Sequence, residues 1–177
     1  MNSTFGHIIR FMLFILVQVF VLFEIKPLHQ FVVPYLYYLY LLWLPFNMPR
    51  IGLTFVGFIF GLSLDYFTKT PGLHAATCTL VAYVRPFVIN ILIRQDVEEM
   101  NYKVPSVKSM GFAPYMTYAF ILTFIHHSYL IFLEFLQFGS WLYLGGKILA
   151  TTGVSMLLIM VTELLFYRRE KFRSNTV

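Results

Sequence analysis

Six apolar runs, at about 8–23, 31–44, 51–64, 73–93, 112–138 and 141–167, occupy most of the chain and leave only short polar breaks. About 20 apolar residues cross a bilayer core as a helix, so runs of this length point to lipid as the surrounding solvent. With 59% hydrophobic and only 12% charged residues among 177, polar side chains are too few to coat a globule in water. Backbone groups in lipid must be paired internally, which permits helices or a closed barrel, and the period-two alternation of a barrel is absent. The expected fold is therefore all-α and polytopic: one domain over residues 1–177, with about six transmembrane helices and a basic tail at 168–177. The second and third runs, 14 residues each, are short for such helices. They are expected to borrow flanking residues or to form a hairpin shielded by longer neighbours.

The formal charge of +5 does not point to nucleic acid, because many of the basic residues flank apolar runs, where they set orientation. The first run carries Arg10 near its start and precedes no small-residue cleavage site, so it reads as a retained span. With the N-terminus inside, Arg10, Arg50, Arg94, Lys103, Lys108, Arg168, Arg169, Lys171 and Arg173 lie on the cytoplasmic side. Only Lys26, Lys69 and Lys147 lie outside, and nine against three places both termini in the cytoplasm. The stretch RQDVEEMNYKVPSVKSMG then becomes the one sizeable cytoplasmic loop. The single cysteine, Cys78, has no disulfide partner in the chain and reads as packing.

Charged and small residues inside the runs mark candidate contacts. Gly57, Gly61 and Asp65 recur at spacing four and share one helix face, where the glycines would admit a close neighbour. Asp65 is either the polar anchor of that contact or a cap on the outer turn that faces headgroups or water. His74, Cys78 and Arg85 share a face of the fourth run. Arg85 lies too deep for easy snorkelling, and Glu163, at a similar depth in the last run, is its expected ion-pair partner. Pro86 should kink that helix and free a carbonyl for the same guanidinium. His127 and Glu134 share a face of the fifth run, and Glu134 could meet Lys147 after the turn near Gly139.

Chemistry is harder to assemble. The H-E-x-x-H spacing that would place two imidazoles on one helix face is absent, which favours a polar interhelical contact over a metal site. An aspartyl protease needs two carboxylates sharing a proton, and Asp96, the only other aspartate, falls in the opposite loop. Gly61-Leu62-Ser63 begins like the G-x-S of an intramembrane serine protease, but Leu64 stands where a glycine would be required. No catalytic residue, metal or cofactor is expected. Tyr35, Tyr37, Tyr38, Tyr40 and Trp43 crowd the second run and read as an interfacial aromatic belt in preference to a ligand pocket.

The stretch GLSLDYFTKTPGLHAATCTLVAYVRP resembles the rod shape-determining MreD family of bacteria, through Gly61, Leu62, Asp65, Gly72, Leu73, His74, Ala75, Leu80, Ala82 and Tyr83. These positions cover about a seventh of the chain, and the rest is similar in hydropathy. Arg85 and Pro86 directly after them are similar to the variety found in the Bacteroidota. The resemblance implies a helical fold akin to the substrate-binding subunits of energy-coupling-factor vitamin transporters, and a non-enzymatic role in the cytoplasmic membrane. The implied partners are the bitopic protein MreC, the MreB filament, and the RodA glycosyltransferase with its transpeptidase, besides membrane lipids. The outer turn at Asp65, Gly72, Leu73 and His74 would then offer a partner contact. The rival expectation is a vitamin-binding transporter subunit, although such subunits usually dock through small residues in the first helix, and 8–23 contains no Gly, Ala or Ser.

The charge asymmetry makes a direct prediction. Fused to the C-terminus, green fluorescent protein should fluoresce and alkaline phosphatase should be inactive; the opposite pair of results would put the tail outside.

Overall fold

The computed structural model describes residues 3–25, 32–92, 104–135 and 140–165; Lys26, Arg94, Asp96, Lys103, Gly139 and the stretch 168–177 lie outside them. In chain order the elements are α1 (Ser3–Val17) with a π-helical turn (Gln18–Leu22), α2 (Leu39–Leu42), α3 (Arg50–Thr68), α4 (Leu73–Leu92), α5 (Val107–Met110), α6 (Phe112–Glu134) and α7 (Trp141–Leu165). There is no strand among the described residues. α1 with its π-helical turn, α3, α4, α6 and α7 are each long and apolar enough to cross a membrane. The protein is an all-α polytopic membrane protein.

The second apolar run departs from the expected helix. Residues 32–36 have no regular secondary structure, and only the single turn of α2 is helical before Pro45 and Pro49 lead into α3. Proline lacks an N–H and disfavours helical geometry in the residue before it, so Pro34, Pro45 and Pro49 punctuate the segment. It nevertheless passes from one end of the bundle to the other. Phe23, just after the π-helical turn, lies beside His74 at the start of α4, while Trp43 bonds to Glu163 near the end of α7. A loosely extended chain advances about 3.3 Å per residue against 1.5 Å in a helix, so a short run can cover a membrane depth that a helix of equal length cannot.

The crossing is central. Tyr37, Tyr38, Leu39, Leu41 and Leu42 are fully buried, and Tyr35, Tyr40, Trp43 and Leu44 nearly so. The aromatic belt expected here is instead the interior of the protein. Lipid-facing positions lie on the surrounding helices, as at Phe55, Phe58 and Leu62 of α3 and Leu149 and Leu157 of α7. The third run reaches membrane length by taking in Arg50 and the polar end Asp65–Thr68.

α3 and α4 form a tight antiparallel hairpin. A Cβ placed on Gly57 would sit 2.7 Å from the Ala82 Cβ and 2.8 Å from the Cys78 carbonyl oxygen. On Gly61 it would overlap the His74 carbonyl and approach the Ala75 Cα to 2.5 Å. Where lipid removes the hydrophobic drive between helices, close backbone approach of this kind supplies the packing energy. Lys69 (φ 57°) ends α3 in the left-handed region, and Gly72 (φ 87°) completes the turn.

Overpacking a close helix contact costs about 1–3 kcal/mol. Gly61→Ala should therefore lower the thermal midpoint in detergent, read by the reaction of the buried Cys78 thiol with a fluorogenic maleimide. Gly146→Ala, whose Cβ would enter open space in the middle of a helix, should not lower the midpoint.

Candidate functional site

A non-helical crossing leaves backbone donors and acceptors without intrahelical partners, and each one orphaned in an apolar interior costs free energy. Gln18 meets part of that need from α1. Its side-chain amide donates to the Pro34 carbonyl (3.0 Å), and its oxygen accepts from the backbone N–H of Leu36 (2.9 Å) and Tyr37 (3.2 Å). Gln18 is fully buried within the π-helical turn.

Arg85 serves the other end of the same crossing. Its Nη2 donates to the Leu44 carbonyl and, at 3.5 Å, to that of Leu42, while Nη1 lies 3.5 Å from the Pro45 carbonyl. Nε donates to the Tyr118 hydroxyl (2.9 Å), which in turn donates to the Leu42 carbonyl (2.9 Å). Glu163 does not pair with Arg85. It accepts from Trp43 Nε1 (2.7 Å) and from the Tyr115 hydroxyl, and Trp43 Nε1 also approaches that hydroxyl (3.1 Å). The expected ion pair is thus replaced by a guanidinium on carbonyl dipoles and a carboxylate on neutral donors. The cause is the broken crossing, whose exposed carbonyls a continuous helix would have used internally. The Pro86-freed carbonyl expected to receive Arg85 gives way to these same acceptors.

Between the two ends runs a buried chain of side-chain hydrogen bonds. The Tyr37 hydroxyl lies 2.8 Å from both His74 Nδ1 and His126 Nε2; His126 Nδ1 lies 3.2 Å from His127 Nδ1; His127 Nε2 lies 2.9 Å from Ser155 Oγ. All five residues are buried, and the Tyr38 ring stacks on His126 while its hydroxyl donates to Thr123. The chain ties the second crossing to α4, α6 and α7.

Asp65 closes the α3–α4 turn from inside. One carboxylate oxygen accepts from the backbone N–H of His74 (2.9 Å) and the Thr70 hydroxyl (3.1 Å), the other from the N–H of Ala75 (2.9 Å) and Gly72 (3.1 Å). The first N–H groups of α4 have no partner within the helix, and a carboxylate there satisfies them and complements the helix dipole. Asp65 and His74 are both buried, so of the two readings Asp65 is the polar anchor of the close α3–α4 contact and does not face headgroups or water, and His74, expected to offer a partner contact, lies inside. Leu73 is half-buried against the core, and Gly72 is exposed at the tip. At the same end Lys147 Nζ reaches Glu134 at 2.8 Å, the one ion pair among the described residues. No cluster of three or more metal-capable side chains occurs among them.

The residues with the widest reach here, Gln18 and Tyr37, were not singled out as polar contacts by sequence reasoning. A lone glutamine in an otherwise apolar first run was the available signal for the first. No family model matches the chain, and no curated protein or solved structure matches it either.

The Asp65 arrangement predicts a graded loss. An asparagine at this position would retain one acceptor oxygen where the carboxylate offers two, and hydrogen bonds to charged groups contribute about 1.5–3 kcal/mol. Asp65→Asn should lower the thermal midpoint in detergent and Asp65→Ala should lower it further; equal midpoints for all three proteins would show that the cap is idle.

Proposed function

We propose that the chain is a non-enzymatic membrane scaffold of the MreD type, which binds an MreC-like bitopic protein and helps couple an MreB filament to peptidoglycan synthesis by RodA and its transpeptidase. In this reading it resides in the bacterial cytoplasmic membrane with both termini inside. The observation that carries the proposal is the physical unity of the motif on which the resemblance rests. Gly61 packs on His74 and Ala75, and the Asp65 carboxylate holds the backbone of Gly72, His74 and Ala75. A motif that builds one hairpin is better support for kinship than scattered identities.

In this reading the partner surface is the exposed tip of the hairpin and not the buried motif itself. Asp65 and His74 are consumed internally, whereas Tyr66 (82% exposed), Phe67 and Lys69 project from the hairpin tip. Tyrosine offers a large area with little rotamer entropy to lose, which suits an anchor. The polar interior is spent on holding the second crossing, in keeping with a structural role.

Coexpression with MreC and purification through a tag on this chain tests the proposal. MreC should copurify, and Tyr66→Ala with Lys69→Glu should reduce its recovery severalfold while the thermal midpoint is unchanged. A tightly bound vitamin in place of MreC would instead establish the transporter-subunit reading.

A further inference from the structure

The foot of the central crossing opens sideways. A cavity of about 210 Å³ lies where α5, α6 and α7 meet, lined by Ser106, Lys108, Phe112, Met116, Met160 and Glu163 among others. Its lining carries charges of both signs. Glu163 is positioned from behind by Trp43 and Tyr115, both of which close on Oε1, so the carboxylate retains acceptor capacity toward the cavity. Lys108 stands exposed on α5, whose start is fixed by a reciprocal Ser106–Ser109 capping box. The remaining wall is apolar, and Phe112, Met160 and Leu164 continue it onto the exposed flank of the bundle.

We infer that this cavity is a binding site for a zwitterionic phospholipid with a primary amine, of the phosphatidylethanolamine class. The ammonium would donate to Glu163, the phosphate would accept from Lys108, and the acyl chains would follow Phe112, Met160 and Leu164 outward. The volume suits a headgroup and its glycerol, while the chains stay in the membrane. Charge complementarity selects the class. An anionic lipid without an amine could use Lys108 but would bring no donor to the Glu163 carboxylate and would add a second negative charge beside it. A quaternary choline headgroup carries no N–H to donate to that carboxylate. A free headgroup would leave the apolar wall uncovered. The inference rests on the cavity alone and is independent of the scaffold reading.

Native mass spectrometry of the full chain in detergent tests it, with phosphatidylethanolamine, phosphatidylcholine and phosphatidylglycerol of matched acyl chains added in equal amounts. A charge-assisted hydrogen bond should favour the ethanolamine lipid by about tenfold. Glu163→Gln should abolish the preference. If that variant does not fold, Met116→Trp decides, because it fills the cavity and leaves the carboxylate and its two donors in place; it should lose the preference while keeping the wild-type thermal midpoint. Equal retention of the three lipids, retention favouring phosphatidylglycerol, or an ethanolamine preference that survives the variants would overturn the assignment.

Discussion

The guanidinium of Arg85 rests on the carbonyls at the end of α2, and the architecture depends on that contact. A charge at membrane depth costs several kcal/mol unless it is partnered, and so does a carbonyl with no donor. Each liability here resolves the other. Removing the arginine would strand the carbonyls, and straightening the crossing into a helix would strand the arginine. Gln18 makes the equivalent arrangement at the opposite end without charge, using one amide for three backbone groups.

Around these two fixed ends the helices assemble through their contacts with the central crossing. α1 gives Gln18, α4 gives His74 and Arg85, α6 gives Tyr118, Thr123 and His126, and α7 gives Glu163. α3 contributes Phe60, which packs against Tyr37 and Tyr40. Interior polarity in a lipid-facing bundle is thereby concentrated along one axis, which leaves the outer surfaces of α1, α3 and α7 apolar. The α3–α4 hairpin is the exception in method, because its closeness comes from the absence of side chains at Gly57 and Gly61.

Much of this was legible from the sequence, and the failures share one cause. The helices and the close glycine face follow from local spacing, since residues four or seven apart share a helix face whatever surrounds them, and the Glu134–Lys147 contact follows from the short interval between two consecutive apolar runs. The second run misleads because fourteen apolar residues say nothing about whether the backbone is wound. Once that segment is read as a helix, its tyrosines become a belt and Arg85 needs an acid. Both errors follow from missing that the crossing is unwound and buried, with backbone carbonyls available to Arg85. Pro34, Pro45 and Pro49 were the visible warning.

The buried histidine chain has a property that distances alone do not display. With all three rings neutral, each imidazole has one protonated and one bare nitrogen, and the Tyr37 hydroxyl has one proton to give. If His74 donates to Tyr37, then Tyr37 must donate to His126, His126 to His127, and His127 to Ser155. If Ser155 donates first, every arrow turns round and His74 becomes the acceptor. Both orders satisfy every bond, and the one mixed order in which no like groups meet, with the Tyr37 oxygen accepting from both His74 and His126, leaves the Tyr37 proton without a partner in the chain. The five side chains therefore behave as a single object with a polarity, so that the proton position at His74, beside the hairpin turn, fixes the one at Ser155 in the middle of α7.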